Sequence, residues 1–328
     1  MGRYWLGTML VRNSDRISSG QTKSSKLIVL VISLVYAIVL ATLPSTQVDW
    51  MNYLNYANNS AEIFRRNMEE GIIKSLVNEP LWLLINVFLR YFLPPDRVVQ
   101  FIAFFSAFLF AYKFLQTNYQ KLFWLVLFLF MPQVFKNFIL HVRQGLAISL
   151  FLCGYLSTNK RIRDICLIAA PFVHASFFFI WVLILLEKMA RRVHFAIDLR
   201  LLYSSICSIV LGLGGLRIAA LLGARQGYEY PTIGSQMETG LGFIFWFYIL
   251  MLMILQGKSY IEKHSISISG IMLYLGMYFF SPIAARVFES ILPLVFLSLL
   301  KLNDWRKFYA FSGFLVYFVS QWVFRIVG

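Results

Sequence analysis

Long apolar runs separated by short polar breaks fill the chain from residue 27 onward. They lie at 27–43, 80–93, 98–115, 122–137, 144–158, 165–187, 199–222, 240–256, 266–281, 283–300 and 308–327. Within each run the apolar residues are continuous. That predicts helices and excludes transmembrane β-strands, whose signal is alternation over about ten residues. At roughly 20 residues per span, the pattern predicts an all-α polytopic integral membrane protein with about nine to eleven transmembrane helices. Two runs do not read as simple spans. Residues 80–93 are short and bounded by Glu79-Pro80 and Pro94-Pro95, and 165–187 is interrupted at Pro171 and His174. Both are expected to be broken or re-entrant, a form tolerated where backbone lines a protein cavity.

The polar breaks orient the chain. Residues 1–26 carry Arg3, Arg12, Arg16, Lys23 and Lys26 against Asp15, which predicts a basic cytoplasmic N-terminus. Residues 27–328 then form a single transmembrane domain. Its two long polar stretches, 44–79 and 223–239, are expected as periplasmic loops. Lys188, Arg191, Arg192 and Arg200 mark one inner loop, Lys258 and Lys263 a second, and Lys301, Arg306 and Lys307 a third. In the middle of the chain, simple alternation puts Lys160, Arg161 and Arg163 outside, against the positive-inside rule. If 80–93 and 165–187 do not cross fully, that cluster moves inside and Arg143 moves outside.

Composition narrows the class. Of 328 residues, 59% are apolar and only 14% charged, against roughly 25% charged in soluble domains. Soluble, disordered and coiled-coil proteins are excluded. The net charge of +15 is read as basic loops facing anionic membrane lipid, with no nucleic acid as partner. Cys153, Cys166 and Cys207 form no CxxC or metal spacing, and no Walker, HExxH or zinc pattern occurs. Neither a metal nor a cofactor is expected.

Ionisable groups near apolar runs are costly and therefore candidates for function. Arg143 opens a helix, with His141 two residues before it and Gln144 after it. A guanidinium at a helix N-terminus is either a phosphate clamp or an anchor for lipid headgroups. His174 is either a core histidine or a general base. Arg286 and Glu289, three apart, are a structural pair or a second clamp with its orienting acid. Asp49, Tyr53 and Tyr56 share a helical face, which suits sugar binding or an interfacial aromatic belt. Glu79 before Pro80, and Arg225, Tyr228 and Glu229 in the second long polar stretch, carry the same alternatives.

The order of these motifs resembles a known family. Asp49-x-x-x-Tyr53 comes first, then Glu79-Pro80 and Arg143-Gln144-Gly145-Leu146-Ala147. A basic turn at Lys160-Arg161 follows, then Ala170-x-x-x-His174-x-Ser176 and finally Arg286. Together they resemble the EpsG family of exopolysaccharide synthesis proteins, which are similar to the Wzy O-antigen polymerases. The resemblance implies a metal-independent glycosyltransferase at the outer face of the bacterial inner membrane. Donor and acceptor would be oligosaccharide repeat units on undecaprenyl pyrophosphate, with undecaprenyl pyrophosphate leaving. Arg143 and Arg286 would stabilise the leaving group, and His174 would be the base, with Glu289, Asp49 and Glu79 behind it. Asp49, Tyr53, Tyr56, Glu79, His141, Gln144, Arg225, Tyr228 and Glu229 would bind substrate. A chain-length regulator and a flippase are the implied partners. An O-antigen ligase and a transporter of lipid-linked oligosaccharide are the competing readings.

Overall fold

The computed structural model describes residues 23–43, 48–225, 227 and 240–327. Among them all regular structure is helical, as an all-α polytopic membrane protein requires. The chain divides into two compact units, Met1–Ala175 and Ser176–Gly328. The first holds α1 (Lys23–Thr42), α2 (Val48–Glu69), α3 (Ile72–Val77), α4 (Pro80–Arg90) and α5 (Pro95–Leu115). It continues with α6 (Leu122–Leu129), α7 (Pro132–Ile139), α8 (Val142–Leu156) and α9 (Lys160–Val173). The second holds α10 (Ser176–Arg192), α11 (Ile197–Leu221), α12 (Leu241–Leu255), α13 (Lys258–Lys263), α14 (Ser265–Met277), α15 (Ala284–Leu299) and α16 (Asp304–Val327).

Among the described residues, three helices are long and apolar enough to cross a membrane: Ser24–Thr42, Pro95–Leu115 and Ile197–Leu221. The pair Tyr119–Leu129 and Pro132–Ile139, bent by 68°, makes a fourth candidate. The expectation of nine to eleven spans also counted apolar runs that fold as shorter helices, among them α4, α8, α12 and α14. Prolines set several of these starts. Pro80, Pro95 and Pro132 each stand in the first turn of a helix, where a missing N–H costs nothing. The 165–187 run breaks at His174, α9 ending at Val173 and α10 starting at Ser176, whereas Pro171 lies within α9 and does not interrupt it. The 122–137 run, read as one segment, bends between Leu129 and Pro132. There the Tyr36 hydroxyl donates to the Leu129 carbonyl, 3.0 Å, an acceptor the interrupted helix leaves open.

In the first unit α5 lies between α1 and α8, and α8 and α9 form a hairpin. α1 buries Val29, Ser33, Tyr36, Ala37 and Leu40, a stripe at helical spacing. Its other side leaves Leu27, Val31, Val35 and Ile38 exposed, an apolar face that lipid tolerates and water does not. Ser149 Oγ reaches the Gly145 carbonyl at 2.7 Å and the Ser106 carbonyl at 2.8 Å, joining α8 to α5. The polar stretch 44–79, read as a loop, holds α2 and α3 among its described residues. In the second unit α14 is central, touching α10, α11, α12 and α15. α11 and α14 meet at small residues: a Cβ on Gly212 would lie 3.0 Å from the Gly276 carbonyl oxygen. Glu187, buried, accepts from Arg200 at 2.5 Å and from Arg191 at 3.0 Å, tying α10 to α11.

Candidate functional site

The residues expected to do chemistry in the first half of the chain converge at the starts of α2, α4 and α8. Asp49 lies in the first turn of α2, where the helix dipole favours an acid. Tyr53 and Tyr56 follow one and two turns later. Both rings pack edge-on against Trp82, with centroids 5.8 Å and 6.3 Å apart. Trp82 lies in the opening turn of α4 and is fully buried, a fixed surface for both tyrosines to pack on.

Glu79 closes the arrangement. It precedes Pro80 with φ 60° and ψ 50°, in the left-handed region. A non-glycine residue there costs about 1–3 kcal/mol unless its surroundings hold it. Here the side chain is the holder. One carboxylate oxygen meets Arg143 Nη1 at 2.5 Å, and the other accepts the Ala175 N–H at 3.2 Å. Glu79 is buried at 4% exposure, and Arg143 is the cation that makes that burial tolerable.

Arg143 sits in the first turn of α8. Its guanidinium carbon is 4.9 Å from the Tyr56 ring centroid and 5.9 Å from that of Tyr53, within cation–π range. Nη1 also approaches the Tyr56 hydroxyl at 3.4 Å. Its Nε is buried and has no hydrogen-bond partner among the described residues. The head is therefore held on one side and has a donor left on another. Burial pushes the Tyr53 hydroxyl upward in pKa, and the Arg143 charge opposes it without prevailing, so Tyr53 remains a protonated donor.

Gly145 explains how the chain reaches this position. Any Cβ there would collide with the Asn137 carbonyl oxygen and come within 2.9 Å of the Phe138 ring. Only glycine lets α8 turn so tightly back along α7, and that turn carries His141, Arg143 and the buried Gln144. His141 Nδ1 lies 3.7 Å from Asp49 Oδ2. His174 ends α9 in an extended conformation, with its N–H bonded to the Ala170 carbonyl at 3.0 Å. Its chain neighbour Ala175 supplies the N–H that binds Glu79.

Asp49, Tyr53, Tyr56, Glu79, His141 and Arg143 are thus brought together. Arg286 and Glu289 lie on α15 in the second unit, Glu289 buried, and Arg225 follows α11, half-buried. Tyr228 and Glu229 lie outside the described residues. Sequence reasoning missed Trp82 as part of the site. Its signal was the spacing of three after Glu79, which puts both on the opening turn of one helix. Among the described residues, no group of three or more His, Cys, Asp or Glu side chains gathers as a metal site would need.

The EpsG family model matches residues 26–327, nearly the whole chain. The chain belongs to the EpsG family. EpsG is a Wzy-like polymerase family, which makes a glycosyltransferase-like polymerase of this chain. No curated protein and no solved structure matches. The EpsG match includes every member of the cluster, from Asp49 to Ala175.

Proposed function

We propose that the chain polymerises oligosaccharide repeat units carried on undecaprenyl pyrophosphate, without a metal, at the outer face of the bacterial inner membrane. The anomeric C–O bond of the donor breaks, the acceptor hydroxyl oxygen takes its place on the anomeric carbon, and undecaprenyl pyrophosphate leaves with the bonding pair. Charge then builds on the phosphate oxygen, and a preorganised cation is worth most at that point. The observation that carries the reading is the Arg143 head, held by Glu79 and two tyrosine faces with its buried Nε unpartnered. Tyr53 and Tyr56 add hydroxyl donors, and half-exposed Asp49 offers an acceptor for sugar hydroxyls. The outer face is supported by order along the chain: the basic segment precedes α1, and α2 follows it. Arg286, Glu289 and Arg225 stay outside this proposal, which rests on the first unit alone.

The test is a deletion strain complemented with wild type or Arg143→Ala, with surface polysaccharide separated on a gel and membrane abundance measured alongside. The expected result is a collapse to a single-repeat band, with the ladder restored only by wild type. A chelator added to membranes making polymer leaves the rate unchanged. A ladder that survives the deletion overturns the reading in favour of transport. Long glycan left on its lipid carrier, unattached to the lipopolysaccharide core, overturns it in favour of a ligase.

A further inference from the structure

One pair beside the Arg143 head takes no part in holding it. His141 immediately precedes α8, and its Nδ1 faces Asp49 Oδ2 at 3.7 Å. Asp49 stands one turn before Tyr53 on α2. The helix that brings two tyrosines to Arg143 therefore brings a carboxylate to His141. The backbone at His141 is fixed at both ends: its N–H donates to the Lys136 carbonyl at 3.1 Å, and its carbonyl accepts the Gly145 N–H at 2.9 Å. The His141 side chain is 19% exposed and that of Asp49 45%. The imidazole is shielded without being sealed off.

We infer that His141 is the general base for the acceptor hydroxyl and that Asp49 is its positioning residue. The inference rests on the polymerase reading above and moves the base from His174, whose segment serves Glu79 instead. A carboxylate facing Nδ1 favours the proton on that nitrogen, which makes Nε2 the nitrogen to accept the substrate's proton. The separation of 3.7 Å shortens to a hydrogen bond as the ring becomes cationic, since such contacts are often long without substrate. In the step, His141 Nε2 accepts the hydroxyl proton as the hydroxyl oxygen bonds to the anomeric carbon. The pyrophosphate departs with the electron pair toward Arg143, two residues along the chain. Asp49 stabilises the imidazolium, and the proton later passes to water.

The charged and titratable groups around His141 come from three elements. Asp49 and the tyrosines Tyr53 and Tyr56 belong to α2. Arg143 and Lys136 belong to its own segment, and Glu79 opens α4, paired with Arg143. Asp49 is the carboxylate that α2 brings to within 3.7 Å of the imidazole, so its loss should lower the pH at which the base becomes protonated.

The experiment uses the full chain in lipid vesicles, with lipid-linked repeat unit extracted from the deletion strain as both donor and acceptor. Turnover and KM are followed across pH for wild type, His141→Gln, Asp49→Asn and Arg143→Ala. Wild-type turnover is expected to fall as pH is lowered. His141→Gln should lose about 100-fold or more in turnover, with KM nearly unchanged and the acid limb gone. Asp49→Asn should shift that limb to lower pH and lose about tenfold. A His141→Gln protein with wild-type turnover, an intact acid limb, or a raised KM alone overturns the inference. If His141→Gln does not fold, an unshifted limb in Asp49→Asn overturns it. Arg143→Ala separates the two readings. If it is inactive beside an active His141→Gln, only the base assignment fails. If it is active, the polymerase site itself has been misplaced.

Discussion

A buried carboxylate and a mostly buried guanidinium can each be tolerated only because the other is present. Glu79 and Arg143 are such a pair, 2.5 Å apart across 64 residues of chain. Removing one partner strands the other. Glu79→Ala should destabilise the first unit by about 3–5 kcal/mol, seen as a lower melting temperature in detergent. Glu79→Gln, which keeps the shape and the Ala175 contact, should lose less stability but still lose polymer. Individually these residues were legible in the sequence: Glu79 by its place before Pro80, Arg143 by its position at a helix start beside an apolar run. The pairing was not legible, because spacing reports neighbours within a helix and says nothing about partners 64 residues away. Trp82 was hidden for a different reason. With 17% aromatic residues in the chain, one more tryptophan on an apolar helix carries little signal.

At the scale of elements, the turn between α7 and α8 decides where Arg143 points. Gly145→Ala places a methyl against the Asn137 carbonyl, which belongs to the backbone and cannot rotate away. Overpacking of this kind costs about 1–3 kcal/mol. The expected outcome is a folded protein of lower melting temperature that makes only single-repeat product, since α8 and its first turn must shift together. Larger side chains at Gly145 should reduce membrane abundance as well. Element legibility was uneven. The break between α9 and α10 announced itself through His174, whereas Pro171 is carried inside α9. The bend before Pro132 did not, because continuous hydropathy across 122–137 concealed a turn made by backbone satisfaction from Tyr36. The polar stretch holding α2 resembled a loop because hydropathy was the signal being read. Its own period of three and four, in Asp49, Tyr53 and Tyr56, was the better guide.

At the scale of the whole molecule, the all-helical membrane architecture was readable from continuous apolar runs, whereas the number of full-length spans was not. Runs of similar hydropathy fold as helices of very different length once proline, glycine and polar breaks divide them. A titration belongs to this scale too. His264 lies in the turn between α13 and α14. Burial, then Lys301 and Lys263, push its pKa down from 6.5 to about 4. The folded state therefore keeps it neutral while the unfolded chain binds a proton. Stability of the second unit is fully present above pH 6.5 and falls as pH drops toward about 4, by up to about 3 kcal/mol. Melting temperature measured across that window should show the slope, and His264→Gln should flatten it.

α8 contains 15 residues and therefore rises only about 22 Å, whereas a bilayer's hydrocarbon layer is about 30 Å thick. With its far end at one membrane surface, the end that bears Arg143 stops about 8 Å short of the other. α4, with 11 residues, is shorter still and starts in the same cluster. One way to accommodate a mismatch of that size is for the bilayer to thin around the protein, drawing the headgroup layer inward. A lipid-linked oligosaccharide could then meet Arg143 with its lipid tail still in oil. The shortness of these helices would spare the enzyme the work of lifting its substrate out of the membrane at every round of extension.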